Sequence, residues 1–167
     1  MQPFVVERLD HIVLRVRDLE RSIAFYRDVL GCVVVKWRDD LELAHLRLGT
    51  SMLDLVAVSG SLGREGGAAP GGEGRNVDHF CVRIEPFDEA ALVAHLEGFG
   101  LVPQVPAEIR FGAEGDGWSL YFFDPDGIML EFCATLQPGL PNVDLPVNAQ
   151  GVKANGQGVT GTATEAG

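Results

Sequence analysis

The chain has 167 residues, 46% of them hydrophobic, with a net charge of −11 and a pI of about 4.6. That length and apolar share support one compact domain, or two small modules on a shared core. An acidic chain without a basic stripe is a poor partner for nucleic acid, and no apolar run approaches the roughly 20 residues that span a bilayer, so neither nucleic acid nor a membrane is an expected partner.

The opening MQPFVVERLDH lacks a basic stretch followed by a long apolar run, so no signal peptide is expected. Cys32, Cys81 and Cys133 are odd in number and have no CxxC spacing. They point to a reducing compartment, the cytoplasm, and away from a disulfide framework.

In chain order, the first strand is expected over Asp10 to Val16. Ile12, Leu14 and Val16 lie on one face, and His11, Val13 and Arg15 on the other. Asp18 is placed to cap a helix whose buried stripe is Leu19, Ile23, Tyr26 and Leu30. Gly31 is its expected stop. Strands follow near Cys32 to Trp37, Leu41 to Leu48 and Met52 to Val58, completing a βαβββ unit. His45 falls on a strand whose faces the pattern does not assign; a structural role is favoured over a pocket acid or base.

Ser59 to Asn76 contains seven glycines and Pro70. It is expected to form neither a strand nor a stable helix. A passive connector is the favoured reading, and a lid over the site is the sharper one. The plan then repeats. A strand spans Asp78 to Ile84, with Phe80, Val82 and Ile84 packing and His79, Cys81 and Arg83 opposite. Asp88 caps a helix carrying Leu92, Val93, Leu96 and Phe99, which Gly100 ends; His95 is expected on its solvent side. Asp124, Pro125, Asp126 and Gly127 form a tight turn joining Ser119–Phe123 to Ile128–Cys133. From about Gln137 the chain reads as a weakly ordered tail.

The two halves correspond in detail. LDHIVLRVRDLERSIAFYRDVLG, from Leu9 to Gly31, matches VDHFCVRIEPFDEAALVAHLEGFG, from Val77 to Gly100. Asp10-His11 falls on Asp78-His79, and Arg15 on Arg83. Without a gap, Met52, Leu53, Asp54 and Leu55 fall on Met129, Leu130, Glu131 and Phe132. Duplicated units inherit approximate two-fold symmetry, so matching histidines face a common point. An ionised carboxylate inside an apolar strand is costly unless paired or metal-bound. His11, Asp54, His79 and Glu131 are therefore a candidate metal set. Two imidazoles with one or two carboxylates suit Zn, Ni, Co, Mn or Fe(II) and leave positions open for substrate. Such an ion polarises a carbonyl, and a neighbouring carboxylate can act as base.

LDHIVLRVRDLERSIAFYRDVLG, VDHFCVRI and SLYFFDPDGIMLEF resemble the vicinal-oxygen-chelate superfamily, which includes glyoxalase I, fosfomycin- and bleomycin-resistance proteins, methylmalonyl-CoA epimerase and extradiol dioxygenases. The resemblance covers residues 9 to about 134. It implies an α+β fold in which two βαβββ modules form one open, cup-shaped mixed β-sheet barrel with flanking helices. Residues 1–136 would be a single domain, with module one at 9–58, the linker at 59–76 and module two at 77–134, followed by the tail at 137–167.

By resemblance the divalent metal is held by His11, His79 and Glu131. Asp54 occupies a fourth position where the family more often has glutamate; one methylene shorter, it could reach the metal through water. Glu131 is implied as the first candidate base and Asp54 as the second. Arg15 matches a position that contacts a carboxylate of the thiol conjugate, with snorkelling to solvent at the strand end an equal alternative. Arg83 lies on the same strand face as His79, where snorkelling to solvent is the favoured alternative to a substrate role. Tyr121 and Trp118 are candidates for an aromatic pocket wall, or core, and Cys81 and Cys133 for a small apolar wall. The implied function is a metal-dependent glyoxalase-like lyase or isomerase on a small oxygenated substrate, anionic or thiol-conjugated. The alternatives are an Fe(II) extradiol-type dioxygenase, a drug- or metabolite-binding resistance protein, and a fosfomycin-type thiol transferase. A homodimer is implied, either edge-to-edge or with swapped modules.

Overall fold

A computed structural model describes residues 3–136; the tail expected from Gln137 onward lies outside the described residues. The strands are β1 (His11–Val16), β2 (Val33–Arg38), β3 (Leu43–Leu48), β4 (Ser51–Ala57), β5 (His79–Arg83), β6 (Gln104–Gly112), β7 (Gly115–Phe123) and β8 (Met129–Thr135). The helices are α1 (Leu19–Leu30), α2 (Ser61–Glu65) and α3 (Glu89–Gly98). The strands form two four-stranded sheets, ordered β1-β4-β3-β2 and β5-β8-β7-β6. In each, the first strand runs parallel to the last and the other neighbours are antiparallel. The α+β class and the repeated βαβββ plan are as the sequence implies. Among the described residues no ladder joins the two sheets, which stay separate rather than forming one continuous barrel.

Local chemistry sets the boundaries. Asp18 Oδ1 accepts from Arg21 N at 3.0 Å at the start of α1, and Gly31 ends it in the left-handed region with φ 70°. Asp88 caps α3 in the same way through Ala91 N. Asp124 Oδ1 accepts from the backbone N–H of Asp126 and Ile128, which folds the turn between β7 and β8.

One face of each sheet closes on a common core. Leu14, Val16, Leu46, Leu53 and Leu55 come from the first sheet, and Leu120, Phe122, Leu130 and Phe132 from the second. Tyr26 of α1 reaches between them. Its ring lies 6.4 Å from that of Phe80, and its hydroxyl donates to Asp124 Oδ2 at 2.9 Å. His95 is exposed, as expected, and its ring donates from Nε2 to the Val29 carbonyl at 2.9 Å, tying α3 to α1. With both inner faces used for this core, the outer faces, which carry the histidines, are turned away from it.

The glycine-rich segment departs from its expectation. It contains the short helix α2, and it is fastened down. Arg15 donates from Nε to Gly63 O (2.9 Å), from Nη1 to Gly66 O (2.8 Å) and Ala68 O (3.1 Å), and from Nη2 to Gly67 O (2.7 Å). Arg17 Nε donates to Pro70 O at 2.8 Å. Gly63 sits so close to β4 that a Cβ there would lie 1.9 Å from Ala57 O.

Candidate functional site

The outer face of the second sheet gathers His79 and Cys81 from β5, Ser119 and Tyr121 from β7, and Glu131 and Cys133 from β8. Strand alternation puts them on one side, and the register sets Cys81 and Tyr121 beside Glu131. Glu131 is only 7% exposed. Ser119 Oγ donates to its Oε1, while Oε2 lies 3.4 Å from His79 Nε2. On its other side, His79 Nδ1 is 2.8 Å from Asp78 Oδ2, which fixes the ring. The Tyr121 ring meets His79 edge-on at 6.0 Å.

These groups shape each other's acidity. Burial, with Cys133 and Glu131 beside it, pushes the Cys81 thiol well up, so that it is neutral at neutral pH. Burial and then the Glu131 charge raise the Tyr121 phenol. A cavity of about 340 Å³ opens over this face, lined by His79, Arg83, Arg110, Ser119 and Glu131 among others. Arg83 Nη1 lies 3.4 Å from Glu114 Oε2, and Arg110 pairs with Glu108.

The first sheet holds its own residues apart. His11 opens β1, half-exposed, with Nδ1 3.2 Å from Asp10 Oδ1. It lines a different groove, of about 430 Å³, that runs between the start of β1 and β5. Asp54 is buried in β4 directly opposite His45 of β3. Its Oδ1 is 2.8 Å from His45 Nδ1, but out of line for a directed hydrogen bond, so among the described residues this buried oxygen has no hydrogen-bond partner. Among the described residues, no three His, Cys, Asp or Glu side chains converge closely enough to hold a metal ion.

The structure therefore brings His79, Glu131 and Tyr121 together and keeps His11 and Asp54 apart from them. Arg15 is engaged by the linker carbonyls. Trp118 alternates to the inner face of β7 and packs on the core, the second of its two expected places. Ser119 was not singled out from sequence, although period-two alternation with Tyr121 puts it on the site face. Arg110, on β6, was missed with its strand.

Comparison with known proteins matches a sequence model of the Glyoxalase/Bleomycin resistance protein/Dioxygenase superfamily over residues 8–132. Virulence protein STM3117 of Salmonella typhimurium is 28% identical over 127 residues, which are 76% of this chain and 83% of the relative. Its crystal structure superposes with a TM-score of 0.66, covering 80% of this chain and 100% of that one at 24% identity. A probable lactoylglutathione lyase of Vibrio cholerae is 27% identical over 134 residues, 78% of this chain and 92% of the relative. A variant of the fosfomycin resistance protein FosX from Listeria monocytogenes, complexed with Mn(II) and dihydroxypropylphosphonic acid, shares the fold. Its TM-score is 0.58, at 17% identity over 79% of this chain and 93% of that one.

Proposed function

Because the chain belongs to the glyoxalase/bleomycin resistance protein/dioxygenase superfamily, we propose that it is a metal-dependent lyase or isomerase of the glyoxalase type, acting on a small oxygenated substrate in a cup completed by a second copy of the chain. The observation that carries this reading is the buried Glu131 in an otherwise apolar strand, with its free oxygen 3.4 Å from His79 Nε2. A carboxylate and an imidazole nitrogen converging from neighbouring strands are two-thirds of a His₂-carboxylate set.

The third ligand is His11. In one chain it faces a different groove, so the set closes when the outer face of the first sheet of one copy covers the outer face of the second sheet of another. The outer face of the first sheet offers some apolar surface for such an approach, with Val13 and Val33 exposed on it. Asp54 is left out of the set because it lies against His45. The free cysteines suit a reducing cytoplasm.

When bound, a divalent ion such as Zn, Ni, Co, Mn or Fe(II) supplies Lewis acidity towards a substrate carbonyl. The chain's own residues do the rest. Asp78 orients His79, Ser119 holds Glu131 Oε1, and Glu131 is placed to accept a substrate proton. Tyr121 narrows the cup beside His79. Arg83 and Arg110 at the cavity wall favour an anionic group on the substrate.

The test is elemental analysis after reconstitution, with light scattering for the oligomer and assay of lactoylglutathione formation from methylglyoxal and glutathione. One ion per chain in a dimer is expected, with His11→Ala and Glu131→Gln each metal-free. Co-expressing the two variants should restore one ion per mixed dimer, because one cup then draws every ligand from an intact source. No restoration would place the ligands within one chain. Iron with ring cleavage of a catechol would replace the lyase by a dioxygenase, and a chain that takes up no metal would be a binding protein.

A further inference from the structure

We infer that His45 and Asp54 form a proton-transfer dyad on the first-sheet wall of the cup, with Asp54 positioning His45 rather than ligating the metal. The inference rests on the proposed cup, in which this wall faces His79 and Glu131.

The two modules differ at one informative place. In the second sheet Tyr121 stands opposite Glu131; in the first, His45 stands opposite Asp54. Glu131 turns towards the first strand of its module and meets His79. Asp54 turns the other way, towards β3, and its Oδ1 stops 2.8 Å from His45 Nδ1. The shorter side chain accounts for the difference: aspartate has one methylene fewer with which to reach diagonally back to His11. A buried carboxylate oxygen without a hydrogen-bond partner is costly. A small rotation of the His45 ring turns the existing contact into a directed Nδ1–H to Oδ1 bond and removes that cost.

The consequence for His45 is chemical. With the proton on Nδ1 and given to Asp54, Nε2 carries the lone pair. The His45 side chain is 26% exposed, so it is accessible from the outer face. The arrangement suits substrates with a hydroxyl-bearing C–H beside a carbonyl. Glu131 takes the C–H proton and its electron pair moves into the adjacent carbonyl, while His45 Nε2 takes the hydroxyl proton and Asp54 stabilises the imidazolium. As the hydroxyl oxygen becomes the new carbonyl, Glu131 returns its proton to the neighbouring carbon and His45 gives its proton to the former carbonyl oxygen, an isomerisation with no net change in protons or electrons.

The experiment uses zinc-reconstituted full-length protein. Long-range 1H–15N spectra should show His45 as the Nδ1–H tautomer, and Asp54→Asn should shift it towards Nε2–H. Asp54→Asn and His45→Gln should keep the wild-type zinc content while Glu131→Gln loses it. In the lactoylglutathione assay His45→Gln should lower kcat about 100-fold with KM little changed. Loss of zinc in Asp54→Asn would make Asp54 a ligand and overturn the inference. An Nε2–H tautomer in the wild type would overturn it too, as would full kcat in His45→Gln. Zinc retained in Glu131→Gln would instead overturn the proposed metal set. If the wild type forms no lactoylglutathione, the lyase reading fails and the tautomer and zinc content alone decide the dyad.

Discussion

Replacing Arg15 with Ala separates two roles for this residue, anchoring the linker and contacting substrate. Its guanidinium has five N–H donors, and four of them reach the carbonyls of Gly63, Gly66, Gly67 and Ala68 at 2.7–3.1 Å. These carbonyls lie in and just after α2, at its C-terminal end, where a cation is favoured. The bond to Gly63 is part-buried and contributes about 1.5 kcal/mol; the three exposed ones, discounted for solvent, contribute about 0.5 kcal/mol each. The loss is about 3 kcal/mol and local, since Arg17 still holds Pro70. It should raise the open population of the segment about 100-fold. Trypsin cleavage after Arg64 and amide exchange over residues 63–70 should both accelerate by that order, with zinc content unchanged. Arg15→Lys should fall between, because one ammonium cannot span four carbonyls. Unchanged cleavage and exchange in Arg15→Ala, with a raised KM instead, would refute the anchoring role and return Arg15 to the substrate.

Tyr26→Phe should lower stability by about 1.5–3 kcal/mol in urea at constant m, because it leaves Asp124 Oδ2 buried without its donor; a change below about 0.5 kcal/mol would show that water replaces the hydroxyl. Burial pushes the Cys32 thiol up to about 11. The folded state thus keeps its proton to higher pH than the unfolded chain does. The resulting stability is complete below pH 9 and is lost as pH rises towards 11, by about 2 kcal/mol. The wild type should therefore lose that much more than Cys32→Ala between pH 9 and 11, and parallel unfolding curves would contradict it.

Much of this molecule is local in origin, and that part was legible in the sequence. The duplication, the caps at Asp18 and Asp88 and the Asp124 turn are short-range features. So is the placing of His11, His79 and Glu131 on outer faces, which follows from period-two alternation. The strand β6 was not legible: Pro106 interrupts its alternation, and its pairing with β7 is irregular between Gln104 and Glu108. Trp118 lies just outside the strand expected over Ser119–Phe123, and only the longer β7 and its register with Ala134 put it on the core.

Other features belong to the tertiary structure alone. Arg15 is held by backbone carbonyls, which carry no residue-specific signal, and only the path of a glycine-rich segment brings them to it. Asp54 matches Glu131 in sequence, yet one methylene and the imidazole across the strand turn it to His45. The separation of His11 from His79 is decided furthest from either residue. The inner faces of both sheets bury their leucines and phenylalanines in a single core with α1 and α3, and that burial turns the two histidine-bearing faces away from it.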